Sequence, residues 1–210
     1  MEKTLPVIIR LAVMAAAVIF AANGAAARWD IAAGVRDSRY IYADVTYDSH
    51  VSVAAEHSVY SYDIGYQYWR LYTGGCFSVP YADFDCKGFY GRTWAGTYYS
   101  AGALMACRIL PPGPVSVFAI LNPLYDSDFR YTTCFAAGVS VKVCRPVSLR
   151  ASYTTIPEFR ESEKVVRAGF DVHVGGLSVV PELSIPVDPR NRSRKLRMLM
   201  SFSYKFSLGR

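Results

Sequence analysis

Residues 196–208 constrain the fold more than any other stretch of the chain. Every even position is apolar (Leu196, Met198, Met200, Phe202, Tyr204, Phe206, Leu208), whereas Arg197, Ser201, Ser203, Lys205 and Ser207 stand between them and only Leu199 breaks the order. A repeat of two over this length is a strand with one apolar and one polar face, because a helix would scatter the seven apolar side chains around its axis. Such a strand needs neighbours on both edges and a non-aqueous surrounding on one side.

The alternation recurs from Trp29 onward. Breaks at Asp37-Ser38, Asp48-Ser49-His50, residues 61–65, 76–82, 92–96, 111–114 and 122–130, Arg145-Pro146, residues 157–163, Gly175-Gly176 and residues 188–195 divide the chain into twelve segments. The breaks at Asp37 and Arg92 are weak, and fusing across both would give ten. Either number is even, so both chain ends fall on one side. Short connections at 48–50, 111–114, 145–146 and 175–176 alternate with longer charged ones at 122–130, 157–163 and 188–195. The connection at 76–82, with Pro80, is long on the short side.

The first 27 residues stand apart. Lys3 and Arg10 precede an apolar run over residues 11–22, and Ala25-Ala26-Ala27 offers a small-residue cleavage site before Arg28. This is the pattern of a cleaved Sec signal peptide, too short to span a bilayer comfortably. The remainder, residues 28–210, reads as one domain, since no linker divides it. Sixteen Tyr and eleven Phe with only 19% charged residues suit the aromatic belts of a membrane barrel as well as a soluble β-core. The polar faces carry Asp44, Glu56, Arg70, Asp83, Asp85, Lys87, Arg108, Lys142, Arg150, Arg167, Asp171, His173, Glu182, Arg197 and Lys205, among many Ser and Gly.

A soluble sandwich or lipocalin-like barrel also alternates, with its large apolar residues turned inward. Here the apolar face repeats Ala, Val and Gly beside aromatics at strand ends. Export, even strand count and alternating connections together favour an all-β chain folded as a single antiparallel up-and-down transmembrane β-barrel, polar inside and apolar outside. On that reading Met198, Met200, Phe202, Tyr204, Phe206 and Leu208 face lipid.

The closing strand, with Phe202, Tyr204, Phe206 and Leu208 before a Leu-Gly-Arg tail, resembles that of the bacterial outer-membrane β-barrel superfamily. The resemblance covers the mature chain as an architecture and identifies no particular member. It implies export to the periplasm, insertion by the barrel assembly machinery, and residence in a Gram-negative outer membrane among its lipids and lipopolysaccharide.

The five cysteines (Cys76, Cys86, Cys107, Cys134, Cys144) match no metal or redox spacing, and only Cys76 with Cys86 forms a candidate bridge. No cofactor, metal or nucleic-acid motif is present. Asp83 and Asp85 with Asp171 and His173 look like the acids and Asp/His dyad of outer-membrane proteases, but such pairs arise on any charged alternating face. Glu56-His57-Ser58 holds the residue types of a hydrolase triad, although adjacent strand residues point apart. No catalytic residue is assigned. The inward charges fit a narrow passive channel preferring small anions, since bases outnumber acids on this face; a non-conducting structural or adhesive barrel is the alternative, and an outer-membrane hydrolase acting on lipid or protein a more distant one. Arg190, Arg192, Arg194 and Lys195 read as a solvated basic loop within reach of lipopolysaccharide phosphates. The exported protein should begin at Arg28; its intact mass is the check, and retention of residues 1–27 would refute cleavage there.

Overall fold

The computed structural model describes residues 28–37, 39–58, 64–128, 130–158, 161–187 and 196–209. The expected signal peptide and the basic loop at 188–195 therefore lie outside the described residues. Twelve strands follow in order: β1 Trp29–Arg36, β2 Tyr40–Tyr47, β3 Val51–Ser58, β4 Tyr68–Val79, β5 Ala82–Thr93, β6 Tyr99–Ile109, β7 Val115–Asp126, β8 Arg130–Cys144, β9 Val147–Glu158, β10 Glu161–Val174, β11 Leu177–Pro186 and β12 Arg197–Leu208. Each pairs antiparallel with its sequence neighbours, and β1 pairs with β12 from Trp29↔Leu208 to Val35↔Phe202, so the sheet closes with no free edge. The weak break at Asp37 is a turn, the one expected from Arg92 falls just beyond it, after β5 ends at Thr93, and the count is twelve.

Alternation decides which way each residue faces. Leu196, Met198, Phe202, Tyr204, Phe206 and Leu208 are exposed on the outside, as are Val51, Val53, Leu71, Val117, Phe170 and Leu183 around the barrel. Asp30, Ser52, Glu56, Ser116, Ser152, Glu182 and Ser184 are buried within. An apolar girdle this extensive cannot face water; hydrocarbon is the solvent that suits it, and a closed strand ring is one of the two backbone forms that hydrocarbon tolerates.

Three expected connections turn out to be strand. Residues 76–79 continue β4, leaving Pro80-Tyr81 as the turn, so no connection at the termini end is long. Residues 122–126 belong to β7, and β9 and β10 extend to Glu158 and back from Glu161. Gly74 and Gly75 lie within β4, and Gly74 faces inward, where a Cβ would stand 2.0 Å from the Cys86 carbonyl oxygen. Two prolines sit inside strands. Pro123 keeps its pairing with Thr133 on β8, but the β6–β7 register lapses between Gly102↔Leu124 and Met105↔Leu121. Pro181 keeps Met200 on β12, while the β10–β11 register lapses between Gly169↔Glu182 and Val172↔Val179. A residue without an N–H cannot serve both neighbours, so each proline interrupts one seam.

All five cysteines are free. Cys76 pairs across the seam with lumen-facing Asp85, whereas Cys86 pairs with Gly75 on the outer face. They stand on opposite sides of the wall and cannot bridge without moving backbone.

Phe202 lies midway along β12 with its ring outside, and Ser203 follows it inside. Phe202→Lys should destabilise the barrel by about 2–4 kcal/mol in lipid vesicles, and Ser203→Lys should change it by less than about 0.5 kcal/mol. Urea titration, read by the heat-dependent gel shift of the folded form, measures both.

Candidate lumenal site

Inside the barrel, charged side chains divide into groups at different heights. Near the chain termini, Asp30 accepts from Ser207 Oγ at 2.5 Å and Arg28 Nε at 3.1 Å, with Lys205 Nζ at 3.3 Å. On the same rim Asp171 takes His173 Nε2 at 2.9 Å and Ser178 Oγ at 3.3 Å, and Asp83 accepts from Ser78 Oγ at 2.7 Å. One step inward, Lys87 joins Asp44 at 2.9 Å and Asp85 at 3.2 Å.

Farther from the termini lies a larger system. Glu56 on β3 meets Arg36 of β1 at 2.5 Å, and Glu182 on β11 meets Arg150 of β9 at 3.3 Å and Arg167 of β10 at 3.6 Å. Arg167 also donates to both oxygens of Asp37, which the β1–β2 turn carries over the lumen, at 3.1 and 3.2 Å. The Glu56 and Glu182 side chains are only 5% and 6% exposed. Buried carboxylates of this kind persist only with a cation in place.

Arg70 on β4 is held differently. Its guanidinium carbon lies 5.1, 5.6 and 4.7 Å from the ring centres of Tyr68, Tyr72 and Phe89. It donates to the Tyr68 hydroxyl at 3.2 Å and to the Tyr72 hydroxyl at 2.9 Å. Among the described residues no carboxylate lies within ion-pair distance of it. Ring faces stabilise a cation without neutralising it, so Arg70 keeps its charge available to the lumen. Tyr68 reaches its place because β5 carries Gly91 there: a Cβ at Gly91 would stand 2.2 Å from the Tyr68 hydroxyl oxygen. The phenol is anchored further by Ser100 Oγ at 2.6 Å.

These groups surround a cavity of about 530 Å³. Arg36, Arg70, Lys87, Arg150 and Arg167 line it against Asp37, Asp44, Glu56 and Glu182, five cations to four carboxylates. The general surplus of bases expected on this face thus narrows to one charge among the lining residues, and to none with Asp85, which Lys87 holds from just outside; Arg70, cross-strand neighbour of Glu56, is the lining cation without an ion-pair contact.

Of the remaining inward residues expected from sequence, Arg108 stands beside Asp83, Lys142 beside Ser148 and Arg197 beside Ser184 across their seams. They form rim and wall positions, not one continuous network. Sequence reasoning missed Arg36, Asp37 and the three rings around Arg70. The spacing Tyr68-Arg70-Tyr72 was a readable signal of that cage, since residues two apart share a strand face.

The two hydrolase patterns do not assemble. Glu56 and Ser58 point inward, with Ser58 Oγ accepting from the Tyr68 amide at 2.7 Å, while His57 lies outside and accepts from Trp94 Nε1 at 3.0 Å. Asp171 and His173 do meet, but Asp83 and Asp85 stand on β5, five strands from β10.

No protein-family model and no curated protein sequence matches the chain. Solved structures share its architecture. A KdgM porin in complex with disordered oligogalacturonate superposes with a TM-score of 0.61 at 8% identity, covering 85% of this chain and 99% of that one. A second KdgM porin structure gives 0.59 at 7% identity over the same shares. The fold is that of an outer-membrane porin β-barrel.

Gly91→Val should drive the Tyr68 ring off its seat and lower stability by about 1–3 kcal/mol. Tyr68→Ala in the same background should restore part of that loss; urea unfolding in vesicles tests both, and two strictly additive losses would contradict the contact.

Proposed function

We propose that this porin-fold barrel is a narrow diffusion channel for small anions in the outer membrane of a Gram-negative bacterium. Arg70 carries the reading. A guanidinium caged by rings and phenols, at a cavity whose other charges are held in ion pairs, presents an unpaired positive group where a solute would pass. In a passage with low-dielectric walls that charge raises the local concentration of anions and repels cations. Sequence supports the location: a signal peptide over residues 1–27 would export the chain, and the closing strand fits delivery to the barrel assembly machinery. Lipid and lipopolysaccharide would then surround the apolar girdle.

A second reading, a barrel closed by its own side chains, is favoured by one observation. Tyr72, Phe89, Leu124 and Cys134 pack together inside the wall and are nearly inaccessible. Planar-bilayer recording separates the two. The channel reading expects discrete current steps and, across a potassium chloride gradient, a reversal potential displaced toward chloride. Arg70→Ala should lower the chloride-to-potassium permeability ratio about thirtyfold, since ~1 kcal/mol from one unit charge at ~4 Å in water acts with opposite sign on the two ions. A folded, heat-modifiable sample without current steps would instead establish the closed barrel.

A further inference from the structure

The cavity wall is not evenly polar. On three adjacent strands, β6 to β8, its mid-height inward positions include Leu104, Phe118, Ile120 and Ala136, with Ala106 next to them, all only partly covered. Cross-strand pairing makes them one surface: Ala106 lies beside Ile120, Ile120 beside Ala136, and Phe118 beside Gly138. Gly138 lets the Phe118 ring lie against the wall, since a Cβ there would meet the ring at 2.6 Å. An inward strand face that carries Phe118 and Ile120 is unexpected in a lumen meant only to hold water.

Cations frame this surface on both sides. Lys87 is the cross-strand neighbour of Leu104 on one flank. On the other, the Arg150 guanidinium sits over the Phe118 ring at 5.2 Å, with its side chain 31% exposed. Glu182 meets Arg150 at Nε, so a carboxylate can approach on the Nη side while the carbon body attached to it covers Ile120 and Leu104. Polyhydroxylated acids satisfy less of this arrangement, because most of their hydroxyls would lose water against the Leu104, Phe118 and Ile120 side chains, beside which the Asn122 amide oxygen is a single unpaired acceptor. An apolar body gains from the same contact. The cavity, about 530 Å³, is of the size that small-molecule sites have.

Resting on the channel reading above, we infer that the preferred solutes are small organic monocarboxylates with an apolar body, their carboxylate at Arg150 and their carbon skeleton on the Leu104–Ile120 surface. Two measurements on the folded, detergent-solubilised protein test this. Calorimetric titration with benzoate and with gluconate, equal in charge, should show benzoate binding about tenfold more tightly, the discrimination that a modest hydrophobic contact provides. In bilayers benzoate should reduce the chloride current at correspondingly lower concentration. Ile120→Ser should abolish the difference in both assays. Ser148→Ala, a lumenal change on β9 whose cross-strand neighbours Lys142 and Asp171 lie outside the cavity, should leave it intact. Should Ile120→Ser fail the heat-modifiability check for folding, Leu104→Ser serves in its place.

Equal affinity for the two acids, tighter binding of gluconate, or a benzoate preference that survives loss of the apolar side chain would overturn the inference. A calorimetric preference without any current steps would refute the channel and leave the binding surface standing. Chloride current with no such preference would do the reverse.

Discussion

Pairing of β1 with β12 is the constraint from which the rest of the molecule follows. A sheet surrounded by hydrocarbon has no water for its edge amides, so every strand must find two partners and the chain must come back to its start. Satisfied here by an antiparallel β1–β12 pair, that requirement fixes an even strand count and places both ends on one rim. It also fixes the inside. Once the ring closes, alternate side chains have nowhere to go but a shared interior, and charges held there must find one another across strands. The pairs of Glu56 with Arg36, and of Glu182 with Arg150 and Arg167, are the result.

The architecture was legible because the period of two survives in nearly every strand, and the face of a residue follows from its parity. Connections were harder to read. Glycine and proline punctuate most sequences at turns, yet Gly74 serves a close approach between backbones and Pro123 sits in a strand with one seam interrupted. In a closed wall both residues can lie within the ladder, because the ring supplies enough hydrogen bonds to tolerate a local loss.

The site was legible only in part. That Arg70 and Glu56 face inward follows from alternation alone. That Arg167 binds Asp37, 130 positions away, does not; it depends on how the strands are offset, which no local pattern records. Asp37 looked like a turn residue and is one, but its left-handed backbone, with φ of 54°, also aims the carboxylate over the lumen. The Arg70 cage was half visible as Tyr-x-Arg-x-Tyr, and Phe89 completes it from the neighbouring strand. The low polarity of Phe118 and Ile120 was plain in the sequence, but its meaning needed the strands on either side.

The two interrupted seams, β6–β7 and β10–β11, enclose a panel of four strands, β7 to β10. That panel carries Phe118, Ile120, Arg150 and Arg167, the wall facing Arg36 and Asp44. Flexing a barrel costs least where ladder hydrogen bonds are already missing, so the cross-section has two built-in fold lines. Bending along them would flatten or round the lumen without breaking the ring, and the shape of its cross-section becomes a property of two prolines that do not line the cavity.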